Sequence, residues 1–221
     1  MKRFTALALT LALLLTCASA LAEGRLTVAQ ENMQQYKSYV CLYAKITNEG
    51  DQPAQVASSM AFLEEDEAYF TGDYNVLGDV LKPGETTYAY VILYLYGDAN
   101  ITGYSAEVEG TEDFGDVVTV RYDAQAQLML DVEEGWDTGD FIYITYTNTA
   151  DETVFGLNVS GILLDGEGNI LYVSVPVMYN LGVTPGSTVI FKCEIPPYIS
   201  AAVDRDNLFV DAAVYTNEFA F

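Results

Sequence analysis

Short runs of alternating apolar and polar residues fill most of the chain beyond residue 24. They are rich in Val, Ile, Thr, Tyr and Phe, and clusters of Gly, Pro, Asn and Asp separate them, whereas apolar residues at helical spacing are scarce. Because successive side chains of a strand point to opposite faces of its sheet, this alternation predicts an all-β protein. The predicted strands are residues 25–30, 39–47, 55–63, 67–70, 85–96 and 103–109, followed by 127–132, 141–147, 154–164, 170–175, 188–195 and 208–215.

The second set of strands is a degenerate sequence repeat of the first. Asn148 lies 100 residues after Asn48, and Ala-Lys-Ile-Thr-Asn before the first turn corresponds to Ile-Thr-Tyr-Thr-Asn before the second. Pro185 lies 102 residues after Pro83, and a Gly follows each proline, so the second copy carries a two-residue insertion. A repeat of this kind indicates two similar structural units in tandem.

Each copy has six or seven predicted strands in roughly 95 residues, the size expected of an immunoglobulin-like sandwich. We therefore predict two tandem immunoglobulin-like β-sandwich domains, over residues 23–122 and 123–221. The stretch 117–122 has no counterpart before Arg25, so it is either the last strand of the first domain or a stiff linker strand.

Residues 1–22 have the three parts of a secretory signal peptide: a basic start, an apolar core and a small-residue cleavage site. We predict cleavage after Ala22 and a secreted or cell-surface protein. No transmembrane segment is expected to remain, because the apolar core is shorter than the ~20 residues needed to span a bilayer. Lipidation of Cys17 is the alternative, but Thr16 stands before it where a small Ala, Gly or Ser is expected.

Charge excludes one class of partner. The chain has 9 basic and 32 acidic residues, and cleavage removes two of the basic ones, which leaves a net charge of 7 − 32 = −25. Nucleic acid is excluded as a natural partner, because phosphate binding requires clustered Lys and Arg. The acidic excess does not indicate disorder, since half of the chain is apolar and it contains 17 Tyr and 10 Phe.

Two cysteines remain after cleavage, and their strand positions argue against a disulfide. Cys193 stands between two charged residues and so shares the buried face of its strand with Phe191 and Ile195. Cys41 falls on the face opposite to that of Leu42. We expect two free thiols.

The residue types exclude several chemistries. The chain has no histidine, which removes Ser-His-Asp and Cys-His catalysis and His-liganded zinc. No Gly-rich phosphate loop opens a helix, and no cofactor is expected. Catalysis by a pair of Asp or Glu carboxylates, as in glycoside cleavage, is still possible, and candidates lie in the turns at 64–67, 112–116 and 133–137. A histidine-free extracellular hydrolase is therefore an alternative function.

One loop has the spacing of early calcium ligands. Asp165, Glu167 and Asn169 alternate, but the downstream Glu that completes a calcium loop is missing. A plain hairpin is the favoured interpretation, and a weak Ca²⁺ site is kept as a minor hypothesis.

A row of tyrosines is the strongest candidate in the sequence for a contact surface. Strand alternation places Tyr88, Tyr90, Tyr94 and Tyr96 on one face, and Lys192 is the counterpart of Tyr90 in the second copy, so this face should point away from the domain core. Three interpretations are open: cross-strand pairs or packing between the domains, a protein interface, and glycan stacking. We predict these four tyrosines as ligand- or partner-binding residues.

The order of turns in the second copy resembles the tandem FxLYD-type domains of bacterial exported and surface proteins. The matching features are Asn148, the hairpin at 162–168, and Pro185 with its following glycine. The chain departs from the pattern at Ile162, where an aromatic residue is expected. In the first copy Ala68 replaces the hairpin glycine, and we expect a wider hairpin there.

The resemblance implies non-catalytic modules of uncertain role. With the signal peptide, the repeat and the missing catalytic residue types, it leads us to expect a secreted, non-enzymatic binding, adhesion or spacer protein that contacts a protein or a glycan. Its oligomeric state stays open.

Overall fold

The structure is a computed structural model that describes residues 25–36, 38–97, 99–111, 115, 117–134 and 137–219. The predicted signal peptide, with Cys17, lies outside these residues. So does most of the acidic segment 112–116 and part of the segment 133–137.

The all-β prediction is confirmed. Sixteen strands account for nearly all regular structure of the described residues, and each predicted strand overlaps an observed one. The short strands β5, β6 and β14 had no clear sequence signal. The strands are β1 (Leu26–Tyr36), β2 (Tyr39–Asn48), β3 (Ala54–Glu64), β4 (Glu67–Gly72), β5 (Asn75–Val76), β6 (Val80–Leu81), β7 (Thr86–Tyr94), β8 (Gly103–Thr111), β9 (Val117–Tyr122), β10 (Gln125–Glu134), β11 (Asp137–Thr147), β12 (Leu157–Leu164), β13 (Ile170–Val173), β14 (Val177–Tyr179), β15 (Thr188–Ile195) and β16 (Phe209–Phe219), and one short helix, α1, covers Pro197–Ser200.

The N-terminal half, from β1 to β8, consists of two antiparallel sheets. Sheet I has the order β1-β2-β7-β5, and sheet II has β4-β3-β6 with β8 paired to β3. Alternate residues of β2, among them Leu42, Ala44 and Ile46, pack against Met60 and Phe62 of β3 in a fully apolar cluster. The predicted inward face of β2 is therefore confirmed.

The C-terminal half, from β9 to β16, also consists of two antiparallel sheets. Sheet III has the order β13-β12-β16-β9 with β14 paired to β12, and sheet IV has β10-β11-β15. Ile142 and Ile144 of sheet IV pack with Val159 and Leu163 of sheet III. Gly161 allows the sheets to approach, since a Cβ there would lie 2.9 Å from Ile142 Cδ1.

Asn148 fixes the turn that follows β11. Its side chain is fully buried. The amide nitrogen donates to the carbonyl oxygens of Glu152 at 2.8 Å and Val183 at 2.7 Å, and the side-chain oxygen accepts from the N–H of Ala150 at 2.9 Å. One side chain thus joins the end of a strand, its turn and a distant segment.

Asn48 makes the same bonds in the N-terminal half. Its amide donates to Gln52 at 2.8 Å and Leu81 at 2.9 Å, and its side-chain oxygen accepts from Gly50 at 2.9 Å. The offsets between partners are the 100 and 102 residues of the sequence repeat, so the duplication is a structural one.

One strand of the repeat pairs differently in the two halves. β5 pairs with β7 of sheet I, whereas β14, at the corresponding place in the C-terminal half, pairs with β12 of sheet III. The same segment of the repeat thus joins opposite sheets in the two halves.

The β3–β4 hairpin is tighter than the sequence analysis predicted. Glu64 pairs directly with Glu67, and the two residues between them close a tight turn. Glu65 and Asp66 have φ values of 50° and 70°, the left-handed conformation that two-residue hairpins need. The expectation of a wider hairpin was wrong, because these residues adopt positive φ without glycine.

β9 joins the sheets of the C-terminal half. Its residues pair with β16 from Val214↔Tyr122 to Phe219↔Val117. The sequence placed this stretch at the end of the first copy or in a linker, but its hydrogen bonds put it at the edge of sheet III. Within the described ranges, no helix has the length and apolar character needed to cross a membrane.

Candidate functional site

The predicted tyrosine row lies between the two halves along part of its length. Tyr88 and Tyr90 are only 8% exposed, and they belong to an apolar cluster that also contains Tyr172 and Tyr215 of the C-terminal half. The row does face away from the core of its own half, but sheet III covers it. At Tyr88 and Tyr90 the C-terminal half occupies this face, which agrees with the interpretation of packing between the two copies.

This shared cluster makes the four sheets one continuous stack. Sheet II packs on sheet I through the N-terminal core, and the other face of sheet I packs on sheet III, which packs on sheet IV. Sheet I is thus covered on both faces, unlike a sheet of an isolated sandwich. The order of layers is II, I, III, IV.

Polar bonds cross the junction between the halves. The Tyr88 hydroxyl donates to Asp211 Oδ2 at 2.9 Å, and the Asn32 amide donates to the Ile170 carbonyl at 2.6 Å. Burial, and then the charge of Asp211, raise the pKa of Tyr88 above its usual range. Burial also raises the pKa of Tyr215 to about 12, so both phenols stay neutral at ordinary pH.

Both cysteines are free, as the alternation predicted, and both are buried, including Cys41 on the face that points away from the core of its own half. Cys193 lies on the buried face of β15 with Phe191 and Ile195, and Cys41 lies on the face of β2 that sheet III covers. Burial raises the pKa of the Cys41 thiol to about 11, and it also raises that of Cys193. Since the thiolate is the reactive form, these are packing residues rather than nucleophiles.

Five tyrosine rings form a continuous series at one end of the junction, which we call the tyrosine ladder. Successive ring centroids are 5.3 Å apart from Tyr96 to Tyr94, 5.2 Å from Tyr94 to Tyr39, 5.0 Å from Tyr39 to Tyr198, and 5.1 Å from Tyr198 to Tyr36. These spacings are typical of stacked and edge-to-face aromatic pairs. The five tyrosines belong to β1, β2, β7, the residues after β7, and helix α1.

The ladder passes from solvent into the junction. Tyr96 is 77% exposed and Tyr94 is 49% exposed, while the other three rings are half-buried. Two of the four predicted tyrosines therefore reach the surface. Tyr36, Tyr39 and Tyr198 were missed by the sequence, although the pairing of predicted strands could have placed Tyr39 opposite Tyr94.

An open groove of about 850 Å³ adjoins the inner end of the ladder at Tyr36. Its walls come from both halves. Three carboxylates and three side-chain amides line it, together with apolar and aromatic residues, and none of the lining residues is Lys or Arg. The lining consists of Gln34, Gln35, Tyr36, Asp165, Gly166, Glu167, Leu171, Ala202, Val203, Asp204, Asn207 and Phe209.

The candidate calcium loop at Asp165 has the bonding of a hairpin that closes on itself. Asp165 Oδ1 accepts from the N–H groups of Glu167 at 2.9 Å and Asn169 at 2.8 Å, and Oδ2 accepts from the Asn169 amide at 2.8 Å. The Asn169 side chain is the main reason that the pKa of Asp165 is lowered. In the described part of the chain, no three acidic or cysteine side chains are grouped as a metal site.

The predicted acid pairs do not include Asp140, which is a buried acid of the structure. The first cluster, at 64–67, lies on the β3–β4 turn, where Glu65 and Asp66 are exposed. Asp140 is 6% exposed and accepts from Arg205 Nη2 at 2.9 Å and from the N–H of Asp131 at 2.8 Å. An acid paired with an arginine in this way anchors β11 to the segment after α1, and an isolated Asp carries no sequence signal for it.

The function must be inferred from this geometry. No protein-family model and no curated protein matches the chain. The resemblance to FxLYD-type domains therefore stays a prediction from Asn148, the hairpin at 162–168 and Pro185.

Proposed function

We propose that this protein is an exported, non-enzymatic binding protein that holds a neutral glycan along the tyrosine ladder and in the adjoining groove. Its two halves are proposed to be tandem immunoglobulin-like domains of the FxLYD type. The predicted signal peptide supports export, and the repeated Asn48 and Asn148 bonding supports the duplication of one unit.

The observation that carries the proposal is the continuity of the ladder with the groove. Four ring-to-ring steps of 5.0–5.3 Å lead from exposed Tyr96 to Tyr36, and Tyr36 is itself part of the groove wall. Aromatic side chains offer a large apolar area with little rotamer entropy to lose, so they are suited to contact surfaces. A path of this length suits an extended chain ligand better than a single small molecule.

The polar lining selects the charge of the ligand. Asp165, Glu167 and Asp204 line the groove, and the described lining residues include no Lys or Arg, so phosphates, sulfates and acidic sugars are repelled. Carboxylates and amides are good partners for hydroxyl groups, since carboxylates accept hydrogen bonds and amides both accept and donate them. Phe209 is 58% exposed and supplies an apolar surface on the other wall. A neutral chain of hydroxyl-bearing rings fits both parts of the site.

A hydrolase is less well supported by the same groove. A glycosidase needs one carboxylic acid whose pKa is raised so that it can protonate the leaving group. The carboxylate of Asp165 is instead held ionised by donors of its own loop. We therefore propose binding without bond cleavage.

The test is binding to a panel of neutral polysaccharides, by affinity electrophoresis and by isothermal titration with short oligosaccharides of the best ligand. The Tyr94→Ala/Tyr96→Ala double variant is expected to bind about tenfold to thirtyfold more weakly, because each aromatic contact contributes on the order of 1 kcal/mol. Glu167→Gln should bind with little change if the ligand is neutral.

Phe155→Ala is the matched control. Phe155 is 64% exposed and lies before β12, whereas the groove residue Asp165 follows the end of that strand. Its loss should leave glycan binding unchanged. No retention by any member of a broad panel, or equal loss in Phe155→Ala and the ladder variant, would contradict the proposal. Release of reducing sugar from a bound ligand would support the hydrolase instead.

A further inference from the structure

The C-terminal half carries large exposed apolar side chains along its β14 edge. Phe155 is 64% exposed, Met178 is 71% exposed and Leu181 is 68% exposed. β12 and β14 pair in the register Leu157↔Tyr179, and Val154 bridges to Val183. A Cβ at Gly182 would lie 2.6 Å from Phe155 Cε1, so the Phe155 ring lies beside the residue that follows Leu181. We call these three residues the β14 patch.

The fold does not require apolar residues at two of these three places, while Met178 has the apolar Val76 as its counterpart. Gln55 stands where the repeat has Phe155, and Asp79 stands where it has Leu181. Both polar residues belong to a half with the same turns and the same buried Asn bonding. The apolar pair of Phe155 and Leu181 is therefore a property of the C-terminal half alone.

Charge is also absent from the segment that carries Met178 and Leu181, whereas Asp151 and Glu152 precede Phe155. Residues 168–191 contain no charged residue, although the chain has 32 acidic residues. The corresponding stretch of the first copy, 66–89, contains six: Asp66, Glu67, Asp73, Asp79, Lys82 and Glu85. Two copies of so acidic a chain repel each other over most of their surface, but they can approach here without bringing like charges together.

The backbone of β14 is open to a partner. β14 pairs with β12 on one side, and no strand of the described residues pairs with its other side. Such an edge has free N–H and C=O groups that a further strand can bond. Pro176 precedes β14 directly, so backbone pairing is confined to a few residues and the side chains must supply most of the contact.

We propose that the β14 edge is a self-association surface, where two copies of this chain meet about a two-fold axis with Phe155, Met178 and Leu181 between them. A two-fold interface brings the same patch of both copies together, so the patch must be complementary to itself. An uncharged apolar patch meets that condition. A basic partner would be drawn to the acidic surface elsewhere.

The test is sedimentation velocity of the purified protein over a wide range of concentration, at low and at high salt. The expected result is a monomer–dimer equilibrium that shifts toward dimer as salt rises, because salt screens the repulsion between the acidic copies. Leu181→Lys is expected to weaken dimerisation at least tenfold, because it places two like charges in the interface. Met178→Lys is a second variant at the same surface.

Ile190→Lys is the matched control, since Ile190 is 66% exposed in the same half but belongs to β15 of sheet IV. It should dimerise as the unchanged protein does. All three variants should keep the circular dichroism spectrum and unfolding temperature of a folded protein, and Met178→Lys decides the outcome if Leu181→Lys does not fold. A protein that is monomeric at every concentration and salt, or a dimer that neither Leu181→Lys nor Met178→Lys weakens, would overturn the proposal.

Discussion

At the level of single residues, the buried side chains of Asn48 and Asn148 hold the turns that follow β2 and β11. Asn148 donates to the carbonyls of Glu152 and Val183 and accepts from the N–H of Ala150, while the Val183 carbonyl also accepts from the N–H of Val154 at 3.0 Å. A buried polar group that loses its partner costs more free energy than a typical hydrogen bond contributes. The sequence indicated the local bonds of these turns, but the bond to Val183, 35 residues away, depends on the folded chain.

Asn148→Ala is expected to reduce the free energy of unfolding by roughly 1–3 kcal/mol, because it removes three side-chain hydrogen bonds that hold the turn to β11 and to Val183. Urea denaturation followed by fluorescence measures the loss. Asn158→Ala is the control, since Asn158 is half-buried and donates only to Gly156 at 3.4 Å, and it should stay within about 0.5 kcal/mol of the unchanged protein. Equal effects of the two substitutions would show that the buried bonds are not what stabilises the turn.

At the scale of elements, β9 ties the two halves together. It bonds to β16 on one side, and Arg121 on the same strand donates to the carbonyls of Val80, at 2.9 Å, and Gly78. Arg121 also pairs with Glu85 at 3.1 Å. Burial lowers the pKa of Arg121, and Glu85 opposes that shift. The alternation of 117–122 predicted a strand, but only the packed structure gives it partners in both halves.

Gly78→Ala tests this connection. Gly78 has φ +70°, and a Cβ there would lie 2.6 Å from Thr119 Cγ2 and 3.1 Å from Tyr215 Cδ2. We expect a loss of about 2–4 kcal/mol, the sum of the left-handed backbone cost and the displacement of β9. Gly84→Ala has the same backbone cost, with φ +78° and no atom within 4 Å, and should lose only about 1 kcal/mol. Denaturant titration of both variants gives the comparison, and equal losses would mean that contact with β9 contributes nothing.

At the scale of the whole molecule, the shared core makes the halves depend on each other. Tyr43, Tyr88 and Tyr90 are buried only because sheet III covers sheet I. If the halves separated, these rings and the thiol of Cys41 would meet water. This arrangement differs from a flexible pair of domains on a linker, which would expose that face.

Calorimetry is expected to show one cooperative unfolding transition for both halves, with calorimetric and van't Hoff enthalpies in agreement. Tyr88→Phe should lower its midpoint by about 2–4 °C without splitting it, because the variant loses one hydrogen bond, to Asp211, and keeps the ring. Two well-separated transitions in the unchanged protein would contradict a shared core.

Most of the strands, and the faces to which their side chains point, could be predicted from the sequence. The alternation of apolar and polar residues is local, and so it placed Cys193 inward, Cys41 outward and the four tyrosines of β7 and the residues after it on one face. The offset between Asn48 and Asn148 likewise revealed the duplication.

The segment that covers each face could be identified only in the tertiary structure. It buried Tyr88 and Tyr90 under sheet III, placed β9 beside β16, and brought Tyr36 and Tyr198 together from opposite ends of the chain. The physical reason is that alternation fixes where a side chain points relative to its own strand. Which segment packs against it depends on the burial of apolar area over the whole chain, and no local pattern records that choice.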